Sequence, residues 1–382
     1  MAYDWRQARN QFPVLERWTY LNTATFGPVP RCAVEAANDY LCRRNELACL
    51  DFLDWFDDAD QTRAAAAALL QAAPADIAFV PNTATALSWL VQGIDWKPGD
   101  RVVALEGEFP NNSYFGYALA ERGADFFEAP LPGGQFSLDR FCSAIHRNTR
   151  LVLMSAINYS TGLRPPLAEI GRFLQERGVL FYVDATQGLG AIRLDAPSLR
   201  AAMIAAHGYK WLLCPPGIGF CYISPEVREW LRPAVFSWRS HEDWRCVDAL
   251  HHGPPRLSSK AEKYEGGTQN FPGIYAMRAV LEMMLQIGLS EIEQRVAHLA
   301  EKVRGVLRRT SGDMASDRLP YYDSPLIAAR FPGTDVSRLA VRLRDLTVVV
   351  AARHDHLRIS PHFFNNEQDV ARLEEALRKT GL

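Results

Sequence analysis

The fold is decided by two stretches, Val183-Asp184-Ala185-Thr186-Gln187-Gly188 and Ala206-His207-Gly208-Tyr209-Lys210-Trp211. Each stretch follows a short apolar segment, 180–183 or 203–206, and therefore reads as the polar end of a buried strand. Ligands of open parallel sheets bind outside the carboxyl ends of the strands. We therefore expect Asp184 and Lys210 to face one ligand.

A lysine and an aspartate placed in this way fit one particular cofactor. Pyridoxal 5'-phosphate (PLP) requires a lysine that forms a Schiff base and an acid that partners its pyridinium nitrogen. Taken alone, Lys210 also fits a solvated loop lysine, and Asp184 also fits a helix cap for the turn at 186–190. Their joint occurrence at neighbouring strand ends favours the PLP interpretation.

Length and composition limit the class of protein. The 382 residues, 48% hydrophobic and 23% charged, predict an enzyme with one large and one smaller domain. The net charge of −2 gives no electrostatic reason to expect binding to nucleic acid or membrane. The seven cysteines lack metal-ligand spacing and read as reduced thiols. We predict a cytoplasmic protein without a metal site.

Apolar strands alternate with helical patterns over the first two thirds of the chain, which predicts an α/β fold with a mainly parallel sheet. The predicted strands are seven: 77–80, 101–105, 125–129, 151–157, 180–183, 203–206 and 219–223. Residues 31–72 are helix-like and 232–272 are irregular. The remainder predicts a small α+β domain with a long helix at 273–310, strands at 326–331, 347–351 and 356–360, and a last helix at 366–379.

Further candidates lie at other strand ends. Pro81-Asn82-Thr83-Ala84-Thr85 joins a strand to a helix, and exposed backbone N–H groups there would cradle a phosphate. Simple N-capping by a threonine fits the same pattern. Phe109 follows another strand and would stack on a planar cofactor or close the core. Gln187 would reach the phenolic oxygen of PLP or take part in a capping box.

These residues also carry a family resemblance. From Tyr20-Leu-Asn-Thr-Ala24 to Leu357-Arg-Ile-Ser-Pro361 the chain resembles the class V aminotransferase family of fold-type I PLP enzymes. That family includes cysteine desulfurases, kynureninases and isopenicillin-N-epimerase-like proteins. The most specific pieces are residues 183–188, His207-Gly-Tyr-Lys210 and Glu265-Gly-Gly-Thr268.

The resemblance implies a fold-type I PLP-transferase with a seven-stranded sheet. We predict a large PLP-binding domain at 16–272 and a small domain formed by 1–15 and 273–382. It also implies a homodimer with shared active sites, in which Thr268 reaches the phosphate of the neighbouring subunit. The loop at 232–264 is expected to shape the pocket or the dimer contact.

The resemblance also assigns roles to single residues. Lys210 would bind PLP covalently, Asp184 would keep the pyridine nitrogen protonated, and Gln187 would bind the phenolic oxygen. Phosphate would be held by Thr83, Ala84 and Thr85 with help from His207 and Tyr209. Phe109 would stack on the ring, with Tyr159 beside it where desulfurases carry asparagine. Arg358 would grip the substrate α-carboxylate, and the other predicted substrate-binding residues are Asn22, Arg353 and His362.

One departure from the family concerns sulfur chemistry. Desulfurases carry a nucleophilic cysteine shortly before the Arg358 position, whereas this chain has Val350-Ala-Ala-Arg-His-Asp355 there and no cysteine after Cys246. Persulfide transfer is therefore not expected. Arg353, His354 and His362 would contact a polar substrate side chain or be ordinary surface residues.

The predicted function is that of a PLP-dependent enzyme acting on a small α-amino acid through Schiff-base exchange at Lys210. Transamination is the first expectation. A β-lyase that cleaves a C–S or C–C bond and an epimerase or racemase are alternatives on the same scaffold. A PLP-binding protein with little activity is a rival of another class. A nicotinamide dehydrogenase would need a glycine-rich turn where Pro81-Asn-Thr-Ala-Thr85 stands.

Overall fold

The computed structural model describes residues 3–246 and 253–382. Residues 247–252, which belong to the loop predicted at 232–264, lie outside the described residues. The strands are β1 (Thr19–Tyr20), β2 (Ile77–Val80), β3 (Arg101–Leu105), β4 (Asp125–Ala129), β5 (Thr149–Ser155), β6 (Leu180–Asp184), β7 (Met203–His207), β8 (Gly219–Ile223), β9 (Asp313–Met314), β10 (Ile327–Arg330), β11 (Val348–Val349), β12 (Ala351–Arg353) and β13 (His356–Ile359).

The α-helices are α1 (Trp5–Arg9), α2 (Arg31–Leu47), α3 (Phe52–Leu70), α4 (Thr83–Gly93), α5 (Pro110–Ala120), α6 (Leu138–Ser143), α7 (Leu167–Gln175), α8 (Ala196–Leu199), α9 (Pro225–Trp230), α10 (Phe271–Ile287), α11 (Leu289–Arg309), α12 (Val336–Asp345) and α13 (Glu367–Lys379). Short 3₁₀ turns include Trp238–Ser240 and Ala261–Tyr264, within the stretch predicted to be irregular.

Seven strands form the central sheet in the order β2-β8-β7-β6-β5-β3-β4. Strand β8 runs antiparallel to β2 and β7, and the remaining pairs are parallel. The middle strands are buried on both faces, as expected for apolar runs covered by helices. The predicted α/β fold with a mainly parallel seven-stranded sheet is confirmed.

The carboxyl ends of the parallel strands meet at one edge of this sheet. In the β5–β6 pair Ser155 lies opposite Asp184, and in the β6–β7 pair Asp184 lies opposite Ala205. The turn that carries Lys210 follows β7 directly. Asp184 and the lysine turn are therefore neighbours, as the sequence predicts.

A second, antiparallel sheet has the order β12-β13-β10-β9 and shares an apolar core with α11, α12 and α13. Strand β1, from the beginning of the chain, pairs in parallel with β11. In the β12–β13 pair Ala351 lies opposite Arg358 and Arg353 lies opposite His356. The C-terminal part thus contains the predicted α+β arrangement.

Two predicted elements are interrupted. The helix predicted at 273–310 is two helices, because Gly288 lies between them with a φ of 96°, a left-handed conformation that suits glycine. The strand predicted at 347–351 is divided, since β11 pairs with β1 whereas β12 pairs with β13. The helical region 31–72 is likewise two helices, α2 and α3.

The predicted domain boundaries remain a prediction. Helix α10 packs on α2 and α3 and shares the core of the central sheet. Among the described residues, no helix combines the length and the apolar character needed to cross a membrane.

Candidate active site

A pocket lies at the carboxyl ends of the central strands. It is lined by Asn82, Thr83, Ala84, Phe109, Asn111, Ser155, Tyr159, Asp184, Thr186, Gln187, His207, Tyr209 and Lys210. Nine of the eleven residues predicted to bind the cofactor are in this lining. The other two, Thr85 and Thr268, are not.

Lys210 is buried in this pocket rather than solvated. Its side chain is 9% exposed, and its Nζ lies 5.5 Å from the centre of the Phe109 ring. Among the described residues it donates no hydrogen bond. Burial lowers the pKa of Lys210 to about 8, with Asp184 opposing this shift and two nearby arginines adding to it. A substantial fraction of the amine is therefore neutral near physiological pH, as a nucleophile requires.

Asp184 is the acid of the pocket. It ends β6, and its Oδ1 accepts a hydrogen bond of 2.9 Å from the backbone N–H of Thr186. Burial raises the pKa of Asp184, against the effect of the Thr186 bonds and of Lys210. A cationic ring nitrogen beside it would lower that pKa again. Asp184 is therefore suited to hold a protonated nitrogen.

Helix α4 points its first turn into the pocket. Asn82 is its N-cap, because Asn82 Oδ1 accepts hydrogen bonds from Thr85 N at 2.9 Å and from Thr85 Oγ1 at 3.1 Å. Thr83 and Ala84 line the pocket, and the first N–H groups of a helix lack intrahelical partners. A helix N-terminus of this kind suits an anion, and the phosphate contact remains a prediction. Thr85 donates to Asn82, so the cap of this helix is an asparagine and not the threonine that the sequence offered.

Gln187 is held in one orientation by Trp211. The indole Nε1 of Trp211 donates to Gln187 Oε1 at 2.8 Å, and Gln187 Nε2 donates to Ala24 O at 3.0 Å. Because an indole N–H only donates, the amide oxygen must face Trp211. One N–H of Gln187 is left for a ligand oxygen in the pocket, which suits the predicted contact with a phenolic oxygen.

His207 and Tyr209 lie on either side of Gly208. Their rings are 4.7 Å apart, edge to face. Burial and the neighbouring Lys210 lower the pKa of His207 to about 4, so the imidazole is neutral. Its Nδ1 is buried and has no partner among the described residues. A neutral ring with one unpartnered nitrogen is available for a ligand.

Phe109 and Tyr159 form the aromatic wall of the pocket, with ring centres 5.2 Å apart and planes at 80°. Glu108 supports this wall, although sequence reasoning missed it. Its Oε1 accepts from Ser155 N at 2.7 Å and its Oε2 from Asn112 Nδ2 at 3.0 Å. Burial raises the pKa of Glu108. The carboxylate thereby joins the ends of β3 and β5 beneath Phe109.

Arg358 lies on β13, beside the pocket but outside its lining. Its guanidinium donates to Tyr159 O at 2.7 Å and to Thr25 Oγ1 at 2.5 Å. Arg353 donates to the same Thr25 hydroxyl at 3.3 Å. Asn22 Oδ1 accepts the proton of that hydroxyl at 2.7 Å. Asn22 therefore orients the hydroxyl of Thr25, a residue not singled out in the sequence, and its predicted substrate contact remains a prediction.

Two predicted residues stand apart from the pocket. His362 is fully buried; its ring bonds to Trp211 O at 2.9 Å, and its Nδ1 accepts from Phe363 N at 2.7 Å. The predicted substrate contact of His362 is thus replaced by a structural role, because both ring nitrogens are occupied. Thr268 is exposed on the surface, and its contact with a neighbouring subunit remains a prediction.

The loop at 232–264 does not line the pocket in its described part. Trp244 packs edge to face on Phe56 of α3, with ring centres 4.8 Å apart. Its predicted pocket-shaping role is therefore not supported for the described residues, and the dimer contact remains a prediction.

Together, these residues fit PLP. The pocket offers a partly neutral amine, a buried carboxylate, a helix N-terminus for phosphate, an aromatic wall and the orphaned Nδ1 of His207. A central seven-stranded sheet with this site at its carboxyl edge is the architecture of a fold-type I PLP enzyme.

Comparison with known proteins identifies the family. Residues 19–373 match the sequence pattern of the family described as aminotransferase class V. A probable cysteine desulfurase of Methanothermobacter thermautotrophicus is 26% identical, with 97% of this chain and 96% of the relative covered. The isopenicillin N epimerase of Streptomyces clavuligerus is also 26% identical, with 98% of each chain covered. The chain therefore belongs to the class V aminotransferase family and is a PLP-dependent transferase or lyase.

Solved structures agree with the fold. A mutant of C-DES with glycine covalently linked to its PLP cofactor has a TM-score of 0.87 and 23% identity, covering 97% of this chain and 98% of the other.

Proposed function

We propose that the protein catalyses a reaction at the α-carbon of a small amino acid, with transamination as the first assignment. The observation that carries this proposal is the buried Lys210 amine, unpaired in a pocket that also holds Asp184. When bound, PLP supplies an aldehyde that captures amines and a ring that delocalises negative charge.

Each pocket residue then has a definite task. Lys210 would hold the cofactor through Nζ and, once released by the substrate amine, would move the proton at the substrate Cα. Asp184 would keep the ring nitrogen protonated, and Gln187 would donate its remaining N–H to the phenolic oxygen. The first turn of α4 would bind the phosphate, with His207 and Tyr209 beside it.

Arg358, on β13 of the four-stranded antiparallel sheet, would orient the substrate. Arg358 is 1% exposed, and its planar guanidinium is suited to bidentate binding of an α-carboxylate. Burial, with Arg353 adding to it, lowers the pKa of Arg358 to about 9, so the group stays charged at neutral pH.

A lyase or epimerase is the second candidate, because the relatives include proteins named as a probable cysteine desulfurase and as an isopenicillin N epimerase. Persulfide chemistry is not part of the proposal, since no cysteine of the described residues lines the pocket. A homodimer with shared sites and a cytoplasmic location remain predictions.

The test is a panel of amino acids added to the PLP-loaded protein. Accumulation of the pyridoxamine form with release of a keto acid supports transamination. Pyruvate or sulfide released without an amino acceptor supports a β-lyase, and loss of optical activity alone supports an epimerase. A protein that shows no visible absorption band after incubation with PLP would contradict the proposal as a whole.

A further inference from the structure

Two arginines of the small sheet converge beside the pocket. Arg353 ends β12 and Arg358 lies on the neighbouring β13. Both reach the hydroxyl of Thr25, at 3.3 and 2.5 Å. Arg358 also donates to Tyr159 O, and Tyr159 lines the pocket. The two guanidinium groups therefore share one oxygen at the edge of the candidate active site.

Neither arginine has a negatively charged partner among the residues that the structure describes. Their acceptors are all neutral: Thr25 Oγ1, Tyr159 O and Ala352 O. Within residues 3–246 and 253–382 neither forms an ion pair, and the nearby Asp355 pairs with Arg330 at 2.6 Å. The Nε of Arg358 is buried and has no hydrogen-bond partner in the part of the chain that the structure describes. Two adjacent cations thus lack a counter-charge.

Such an arrangement is unfavourable unless a ligand completes it. Burying a charge without a partner costs free energy, and like charges held close together repel. The Thr25 hydroxyl offers weak compensation, because its proton is donated to Asn22 Oδ1 and its lone pairs face both arginines. One α-carboxylate neutralises one of the two cations. A second anionic group would neutralise the other.

We propose that the substrate is an amino acid with a second acidic group, bound by Arg353 while Arg358 holds the α-carboxylate. This inference rests on the proposed function, since it assumes an amino-acid substrate at the Lys210 site. Arg358 takes the α-carboxylate because it is fully buried and attached to the pocket wall through Tyr159. Arg353 is half-buried, further towards solvent, where a side-chain carboxylate would extend.

The experiment uses the PLP-loaded protein and acids without an amine, so that binding is measured apart from turnover. Succinate is paired with butyrate and glutarate with pentanoate, which differ by one carboxylate at equal chain length. Affinity is measured by calorimetry and by the shift of the visible absorption band. We expect the better dicarboxylate to bind about tenfold tighter or more, equivalent to about 1.4 kcal/mol.

Three variants assign that preference to its residue. Arg353→Gln should bind the dicarboxylate no better than the monocarboxylate. Arg353→Lys keeps the charge and should retain part of the preference. Arg338→Gln removes a cation from the exposed surface of α12 and should behave like the parent protein.

The outcomes separate this inference from the proposed function. Equal affinity for both members of each pair, or a preference that survives Arg353→Gln, overturns the second acidic group and leaves the PLP site intact. Turnover of 2-aminobutyrate at the rate of aspartate, and of norvaline at the rate of glutamate, would overturn it as well. Failure to bind PLP would instead remove the proposed function, and this inference with it.

Discussion

Two regions of this molecule contain the same kinds of cation but differ in the acceptors that these cations have. Around Glu265 lie Arg63, Arg239 and Lys263, which we call the Glu265 cluster. Beside the pocket lie Lys210, Arg353 and Arg358, which we call the pocket cations. Each region thus contains one lysine and two arginines.

In the Glu265 cluster every cation has a protein acceptor. Arg63 and Arg239 both bond to the Glu265 carboxylate, and Lys263 Nζ donates to Arg228 O at 2.7 Å. Burial would raise the pKa of Glu265, but the arginines Arg63 and Arg239 hold it below its usual value. Both arginines therefore have a carboxylate partner and the lysine has a backbone acceptor, and we interpret the region as structural.

The two buried lysines differ in their partners rather than in their pKa. Burial lowers the pKa of Lys263 to about 8, and it lowers the pKa of Lys210 to about 8. A shifted lysine is therefore not sufficient evidence of a functional site here. What distinguishes Lys210 is a cavity beside it and the absence of an acceptor among the described residues.

The largest expected effect separates the two lysines. Lys210→Ala should abolish the visible band formed with PLP and lower turnover at least about a thousandfold, because it removes both the attachment point and the base. Lys263→Ala is the matched control and should keep the band. Absorption spectra of both variants test this, with circular dichroism to verify folding. A Lys210→Ala protein with an unchanged band would contradict the assignment.

The second prediction compares the loss of free energy of unfolding caused by one substitution in each region. Glu265→Gln should lower the free energy of unfolding by about 3–5 kcal/mol, because two buried arginines lose their counter-charge. Arg358→Gln removes a cation without a counter-charge and two hydrogen bonds, which predicts a loss of at most about 2 kcal/mol.

Urea unfolding of the PLP-free variants measures both losses. The control is Glu375→Gln, an exposed partner of the equally exposed Lys379, with an expected change within about 0.5 kcal/mol. If Glu265→Gln is no more damaging than this control, the distinction between the two regions fails.

The smallest expected effect is on pH dependence. Protonated Lys210 cannot attack the cofactor aldehyde, so the rate of band formation should fall about tenfold per pH unit below its pKa. The inflection is expected at the Lys210 pKa of about 8. Because the charge of Arg353 lowers this pKa, Arg353→Gln should move the inflection to higher pH.

The rate of band formation at a series of pH values measures this shift. Arg338→Gln supplies the comparison, since PLP's own titration affects both variants equally. An inflection that stays in place in Arg353→Gln would show that this arginine does not act on Lys210.

Features that depend on neighbouring residues in the chain could be predicted from the sequence. Apolar runs located the seven strands, and the polar residues at their ends located the pocket. The Asn82 cap was also accessible, because asparagine is among the preferred N-cap residues. The antiparallel direction of β8 was not, since an apolar pattern is the same in either direction.

Contacts between distant parts of the chain could not be predicted. Thr25 and Arg358 are separated by 333 positions, and nothing around Thr25 indicates that it faces two arginines. His362 resembles a surface histidine in sequence, yet the fold encloses it among backbone groups. The role of Glu108 could not be predicted either, because its partner Ser155 lies at the end of β5, 47 residues further along the chain.

The segment at 22–27, which follows β1, is relevant to the order in which the site forms during synthesis. Asn22 forms a bridge with Ser360, while Ala24 O accepts a hydrogen bond from Gln187 and Gly27 N donates to Tyr209 O at 2.8 Å. This segment is therefore held both by pocket residues in the middle of the chain and by Ser360. During synthesis on the ribosome, the pairing of Thr25 with Arg358 cannot form until β13 has emerged, so the predicted substrate site is completed after the cofactor pocket.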